Sequence, residues 1–121
     1  MKTNNKKILV AEDDPLVREL LNELLTLCGY DIDCVSNGKE AIALIETGSY
    51  AILITDYLMP EMNGIELIQR IRNLNLSVPI IIGISASEEE KGFLSAGANL
   101  FIAKPFSPYA LKNIIEEICL T

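Results

Sequence analysis

The sequence predicts an α/β fold, a parallel sheet covered by helices on both faces. Three observations carry this expectation. Short apolar runs such as Ile8-Leu9-Val10-Ala11 alternate five times with amphipathic stretches along the chain. These runs are mostly unbroken, unlike strands with one solvated face, so they read as buried on both sides. The stretches between them show helical spacing and are punctuated by caps, prolines and glycines. With 121 residues, 50% of them hydrophobic, the expectation is one domain over 1–121, with a flexible lead at 1–6.

Taken in order, 8–11 is the first strand. Asp14 then offers an N-cap, and Pro15 fits the first helical position, where a missing N–H costs nothing. Leu16, Val17, Leu20, Leu21, Leu24 and Leu25 recur at helical spacing, and Gly29 suits the stop. The second strand is 31–35 and the second helix 38–46, closed by Gly48. The third strand is 51–55, followed by a third helix at 65–72 with Leu67, Ile68 and Ile71 on one face. The fourth strand is 79–84. Ser87 and Glu90 read as a capping box opening a short fourth helix that stops at Gly97. The fifth strand is 100–103. Ser107-Pro108 repeats the cap-plus-proline start, and the fifth helix carries Leu111, Ile114, Ile115 and Ile118.

Composition removes several classes of function. The formal net charge is −7, which argues against direct nucleic-acid binding, because phosphate backbones demand basic patches. There is no histidine, so histidine acid–base chemistry, histidine metal ligation and an internal phosphohistidine are excluded. No apolar run approaches the roughly 20 residues needed to span a bilayer, and no basic-then-apolar leader opens the sequence. A cytoplasmic protein without a membrane partner is expected. Cys28, Cys34 and Cys119 are odd in number, lack CxxC spacing and sit among apolar neighbours, so buried free thiols are expected. Met59, Met62 and Phe106 are assigned to packing.

In sheets of this kind ligands bind beyond the carboxyl ends of the strands, where the strand order reverses. The first strand ends in Glu12-Asp13-Asp14, the third in Asp56, the fourth in Ser85 and the fifth in Lys104-Pro105. For a strand order of 2-1-3-4-5 these ends are neighbours, roughly 4.8 Å apart from strand to strand. Carboxylates crowded on one rim raise each other's pKa unless a cation relieves them. Mg²⁺ fits, since it takes one or two carboxylates and keeps positions open for water or phosphate. Asp13 and Asp56 are the candidates for direct ligands, with Glu12 acting directly or through water; Asp14 is better explained by capping. A carboxylate nucleophile can take a phosphoryl group as an acyl phosphate, with an ammonium and a hydroxyl spreading its charge. Asp56, Lys104 and Ser85 supply those parts.

The stretches 8–15 (ILVAEDDP), 55–64 (TDYLMPEMNG), 81–86 (IIGISA), Gly97-Ala98 and 101–106 (FIAKPF) together resemble the receiver domain of two-component response regulators, along nearly the whole chain. The resemblance implies a doubly wound, flavodoxin-like sheet of five strands in the order 2-1-3-4-5 with five helices. It makes Asp56 the phospho-acceptor, Glu12 and Asp13 the Mg²⁺-binding acidic pair, and the main-chain carbonyl of Leu58 a further metal ligand. It makes Lys104 the family's lysine, Ser85 and Phe101 the switch pair, and the Lys104–Pro105 bond cis. A histidine kinase or histidine phosphotransfer protein would supply the phosphoryl group. The helix 4–strand 5–helix 5 surface would signal to a downstream effector, with a phosphorylation-dependent dimer as one outcome. The chain would be a switch that loses its own phosphoryl group, not an enzyme with a separate substrate. With no output domain after Thr121 in this sequence, it would be a stand-alone receiver or a piece of a larger regulator or hybrid kinase.

Two features depart from the family's pattern. Glu12 stands where Asp is commoner, which lengthens one ligand arm. The interval from Ser85 to Lys104 is a few residues short, and Gly92 inside the fourth helix costs roughly 1 kcal/mol relative to Ala. That helix is expected to be the least stable of the five. Three other readings compete with the resemblance. A nucleotide- or flavin-binding module would need a Gly/Ser/Thr-rich loop after the first strand, where this chain has three acids. An aspartyl-phosphate hydrolase of the haloacid-dehalogenase type would need Asp-x-Asp, whereas Tyr57-Leu58 follow Asp56. A receiver-like module that binds without being phosphorylated would keep the fold and lose only the chemistry.

Overall fold

The computed structural model describes residues 7–120, apart from the side chain of Leu120. The expected lead at 1–6 and Thr121 lie outside the described residues. Five strands and five helices alternate: β1 (Lys7–Ala11), α1 (Pro15–Leu27), β2 (Asp31–Val35), α2 (Gly38–Thr47), β3 (Ile52–Asp56), α3 (Gly64–Asn73), β4 (Ile80–Ser85), α4 (Glu90–Ala96), β5 (Leu100–Ala103) and α5 (Pro108–Leu120). The sheet is parallel with order β2-β1-β3-β4-β5, as expected. None of the helices among the described residues is long and apolar enough to cross a membrane.

Alternate residues of the central strands feed two separate cores, because side chains leave a strand on opposite faces with period two. On one face Ile8, Val10, Ile52, Ile54, Ile82 and Ile84 pack with Leu21 and Leu25 of α1 and Leu111 and Ile115 of α5. On the other, Leu9, Ala11, Leu53 and Ile81 pack with α2, α3 and Phe93 of α4. Phe106 joins the first core, and Met59 and Met62 the second, so all three pack as expected. The cysteines are free but only partly buried, which corrects the expectation of buried thiols. All three pack partly against the core on the α1–α5 face of the sheet.

Local caps set where the helices begin and end. Asp14 Oδ1 accepts the Leu16 N–H at 2.9 Å with Pro15 just inside the helix, as the sequence predicts. Gly29 takes φ 95° after α1, where the amides of Gly29 and Tyr30 bond back to Thr26 and Leu25. The Ser87 capping box does not form. Residues 87–89 make a 3₁₀ turn instead, and α4 starts only at Glu90, with no side-chain cap. Glu89 already closes on the Ala86 carbonyl at 3.0 Å, so Ser87 lies inside the turn rather than ahead of it. A capping box is found at α3, where Asn63 and Glu66 each accept the other's backbone N–H.

Candidate functional site

The carboxyl ends of β1, β3, β4 and β5 meet on one rim. Asp56 is the last residue of β3, one position later than the sequence suggested, and Ser85 is the last of β4. Glu12 follows β1 and Lys104 follows β5. Glu12 is fully buried, Asp56 and Ser85 nearly so, and Asp13 is exposed.

Lys104 organises the rim. Its Nζ donates to Glu12 Oε1 at 3.2 Å and lies 3.3 Å from Asp56 Oδ2, so one ammonium ties two carboxylates from different strands. Burial lowers the lysine's pKa, but the charges of Glu12 and Asp56 outweigh that effect and the net shift is upward. Lys104 itself is set by its own N–H, which donates to the Ser85 carbonyl at 2.7 Å, and the following bond to Pro105 is cis, as expected. Glu12 is pushed up to about 7, first by burial and further by the neighbouring Asp56, against the relief of the Asp14 amide and Lys104. The Asp14 N–H donates to Glu12 Oε2 at 3.0 Å, so both oxygens of Glu12 are in use.

Asp56 is held from three directions. The Tyr57 N–H donates to its Oδ1 at 2.7 Å, Lys104 holds Oδ2, and the Thr55 hydroxyl donates to its carbonyl at 2.9 Å. The Asn63-Gly64 turn brings the start of α3 against that same carbonyl, and a side chain at Gly64 would collide with it. Glycine is needed here for close approach. The loop from Tyr57 to Asn63 is closed by the Gly64 N–H on the Tyr57 carbonyl at 2.9 Å. Leu58 projects into solvent, 72% exposed.

Phe101 is half-buried at the middle of β5, opposite Gly83, rather than at the rim. It packs on Phe93 with ring centroids 5.5 Å apart, and Phe93 meets Tyr57 edge-on at 6.3 Å. Gly83 leaves the space that the Phe93 ring fills. A chain of three aromatic rings thus runs from the residue beside Asp56 to Phe101. Sequence reasoning missed Phe93, Thr55 and Arg18; the last donates from Nη1 to the Glu12 carbonyl at 2.8 Å. Gly92-Phe93 and the Arg18 position within the first turns of α1 were visible as residues, but their partners were not.

No group of three or more histidine, cysteine, aspartate or glutamate side chains forms a ready metal cage among the described residues. The donor chemistry still suits Mg²⁺, which needs only one or two carboxylates. Glu12 and Asp56 share a single ammonium, and burial first, then the charge of Asp56, push Glu12 upward. The exposed Asp13 carboxylate lies open to a hydrated ion.

The model of the response regulator receiver domain matches residues 8–116. The sensor protein EvgS of Escherichia coli K12 is 40% identical over 92% of this chain, which spans only 9% of that protein's length. Among solved structures, a Francisella response regulator receiver domain superposes with a TM-score of 0.88 at 30% identity, covering 95% of this chain and 97% of its own. The receiver domain of a sensor histidine kinase from Pseudomonas aeruginosa PAO1 superposes at 0.86 with 25% identity, covering 98% of this chain and all of its own; it is described with a magnesium ion coordinated in the active site cleft. With its sheet order, its acid–lysine rim and a family match over 8–116, the chain belongs to the response regulator receiver domains of two-component systems.

Proposed function

We propose that the chain is a phospho-accepting switch in which Asp56 takes a phosphoryl group from a phosphohistidine of a histidine kinase or phosphotransfer protein. The observation that carries this reading is Lys104, bridging Glu12 and Asp56 at 3.2 and 3.3 Å. In the transfer, an Asp56 oxygen attacks phosphorus, the P–O bond forms and the P–N bond to the donor breaks. The Tyr57 N–H fixes the plane of the carboxylate before attack. Lys104 is placed to leave Asp56 for a phosphoryl oxygen while keeping Glu12, and Ser85 supplies a hydroxyl from the adjacent strand. Asp13 and Asp56, with the Leu58 carbonyl, would hold Mg²⁺, and Glu12, with both oxygens engaged, would reach it through water. The bound ion supplies neutralisation of phosphoryl charge.

Signalling then follows from Ser85 drawing toward the phosphoryl group and Phe101 rotating, which changes the α4–β5–α5 surface offered to an effector. The packing of Phe101 on Phe93, the sole fully buried side chain of α4, supports a path into that helix. A switch that loses its own phosphoryl group, in the cytoplasm, is the role this reading assigns. Incubation with acetyl phosphate and Mg²⁺, followed by intact mass, tests it. One added phosphoryl group in wild type, absent in Asp56→Asn and absent with chelator, is expected. Addition that persists in Asp56→Asn contradicts it. A mass unchanged in wild type, even with a cognate kinase, supports the rival binding module.

A further inference from the structure

Arg18 lies on α1, one turn past Pro15, and it is not a counter-ion in the site. Its Nη1 donates to the Glu12 carbonyl at 2.8 Å and reaches the Asp13 carbonyl at 3.4 Å. Lys104 is the cation at the Glu12 carboxylate, whereas the hydrogen bonds of the Arg18 guanidinium go to main-chain carbonyls. The loop has other ties: the Glu12 N–H donates to the Val35 carbonyl at 3.0 Å, the Asp14 N–H to Glu12 Oε2 at 3.0 Å, and the Leu16 N–H to Asp14 Oδ1 at 2.9 Å. Each of these fixes a donor on the loop or a side-chain oxygen. Arg18 holds the two carbonyls, and the orientation of their peptide planes decides how the Asp13 side chain leaves the loop.

A loop of three consecutive acids repels itself. Pro15 has no N–H with which to fasten it from the helix side. A guanidinium presents several donors in a rigid fork that can serve two acceptors, whereas a lysine ammonium on a flexible stem is a poorer match. Arg18 is half-buried, and its bond to the Glu12 carbonyl is partly shielded from water while the longer one to the Asp13 carbonyl is exposed. We propose that Arg18 is a positioning residue: by clamping the Glu12 and Asp13 carbonyls it holds Asp13 in the loop conformation from which its carboxylate joins Asp56 in binding a divalent cation. This rests on the Mg²⁺ reading of Asp13 and Asp56 proposed above.

The test is Mg²⁺ titration of the full chain by tyrosine fluorescence for wild type, Arg18→Met and Arg18→Lys, alongside metal-free urea unfolding and amide exchange at Asp14. Partners that orient a metal ligand typically matter about 10–100-fold in affinity. Arg18→Met should weaken Mg²⁺ binding by about ten-fold, speed exchange of the Asp14 amide, and leave the metal-free unfolding midpoint close to wild type. Arg18→Lys should recover part of the affinity, since one donor can still reach the Glu12 carbonyl. Affinities equal to wild type in both variants would overturn this role and leave the phosphoryl-accepting reading standing. An affinity loss matched by collapse of the metal-free midpoint would mark Arg18 as a general prop and overturn it too. Should Arg18→Met not fold, Arg18→Lys decides: full wild-type affinity at an unchanged midpoint overturns the role. Wild type that binds no Mg²⁺ overturns the metal reading itself.

Discussion

Lys104 and Glu12, 92 residues apart in sequence, are joined at 3.2 Å, and the same ammonium lies 3.3 Å from Asp56. One lysine therefore both neutralises the rim and competes with any cation for its carboxylates. Lys104→Met should destabilise the metal-free protein, because the buried Glu12 loses its partner beside Asp56. The same change should tighten Mg²⁺ binding by about ten-fold, equivalent to about 1.4 kcal/mol. Urea unfolding without metal and a Mg²⁺ titration check the two opposite signs. Weaker Mg²⁺ binding in the variant would count against this balance of charges.

Gly64 and Gly92 should respond oppositely to alanine. At Gly64 the new methyl would strike the Asp56 main-chain carbonyl, which cannot yield without moving the site. A loss of about 2–4 kcal/mol is expected. At Gly92 the methyl would meet only the end of the flexible Ile65 side chain. Helix propensity then dominates, and Gly92→Ala should stabilise by up to about 1 kcal/mol. Denaturant midpoints for both variants test the contrast.

Tyr50 anchors the opposite end of the sheet from the rim. Its hydroxyl donates to Asp33 Oδ2 at 2.7 Å, and Lys7 pairs with Asp33 at 3.5 Å and lies over the Tyr50 ring. Burial first, then the hydrogen bond and charge of Asp33, raise the phenol's pKa. The raised folded value means the contribution is fully present below about pH 10, the ordinary phenol value, and is lost as pH rises through the folded value. Tyr50→Phe should cost about 1 kcal/mol near neutral pH. The gap from wild type should stay level from about pH 7 to 9 and close above about pH 10. A gap that widens in alkali would contradict the assigned hydrogen bond.

Helix α4 should be the least protected of the five in amide exchange. It has seven residues, no side-chain N-cap and Phe93 as its single buried residue. Its C-terminal end is better held: Gly97 adopts φ 118° and Arg72 of α3 donates to the Gly97 carbonyl at 2.7 Å. Exchange should therefore be fastest at the 87–91 end. Protection equal to that of α1 would show that tertiary packing overrides the missing cap.

The rim was legible in the sequence because its chemistry is concentrated at strand ends. Glu12, Asp56, Ser85 and Lys104 each follow or close an apolar run, and a parallel sheet sets such ends side by side. The Asp14-Pro15 start and the stop at Gly29 were legible for the same local reason. Ser87 was misread because the i, i+3 spacing of Ser and Glu describes a capping box but cannot tell a first helical turn from a 3₁₀ turn ahead of it. Asn63 and Glu66 have the same spacing and do form the box. Arg18 and Thr55 were silent because both bond main-chain carbonyls, whose direction depends on the folded loop and not on residue type. The Phe93–Gly83 fit needed the packing of α4 over β4, which no local pattern encodes.

Whether Asp56 itself carries the phosphoryl group is read from the site of the acyl phosphate. Phosphorylated protein can be reduced with borohydride, which converts an aspartyl phosphate to homoserine, and the position read by peptide mass spectrometry. Homoserine at position 56 alone, formed only when Mg²⁺ is present, is the predicted result. Homoserine at position 13 or 14, or none after a confirmed gain of phosphoryl mass, would contradict the account.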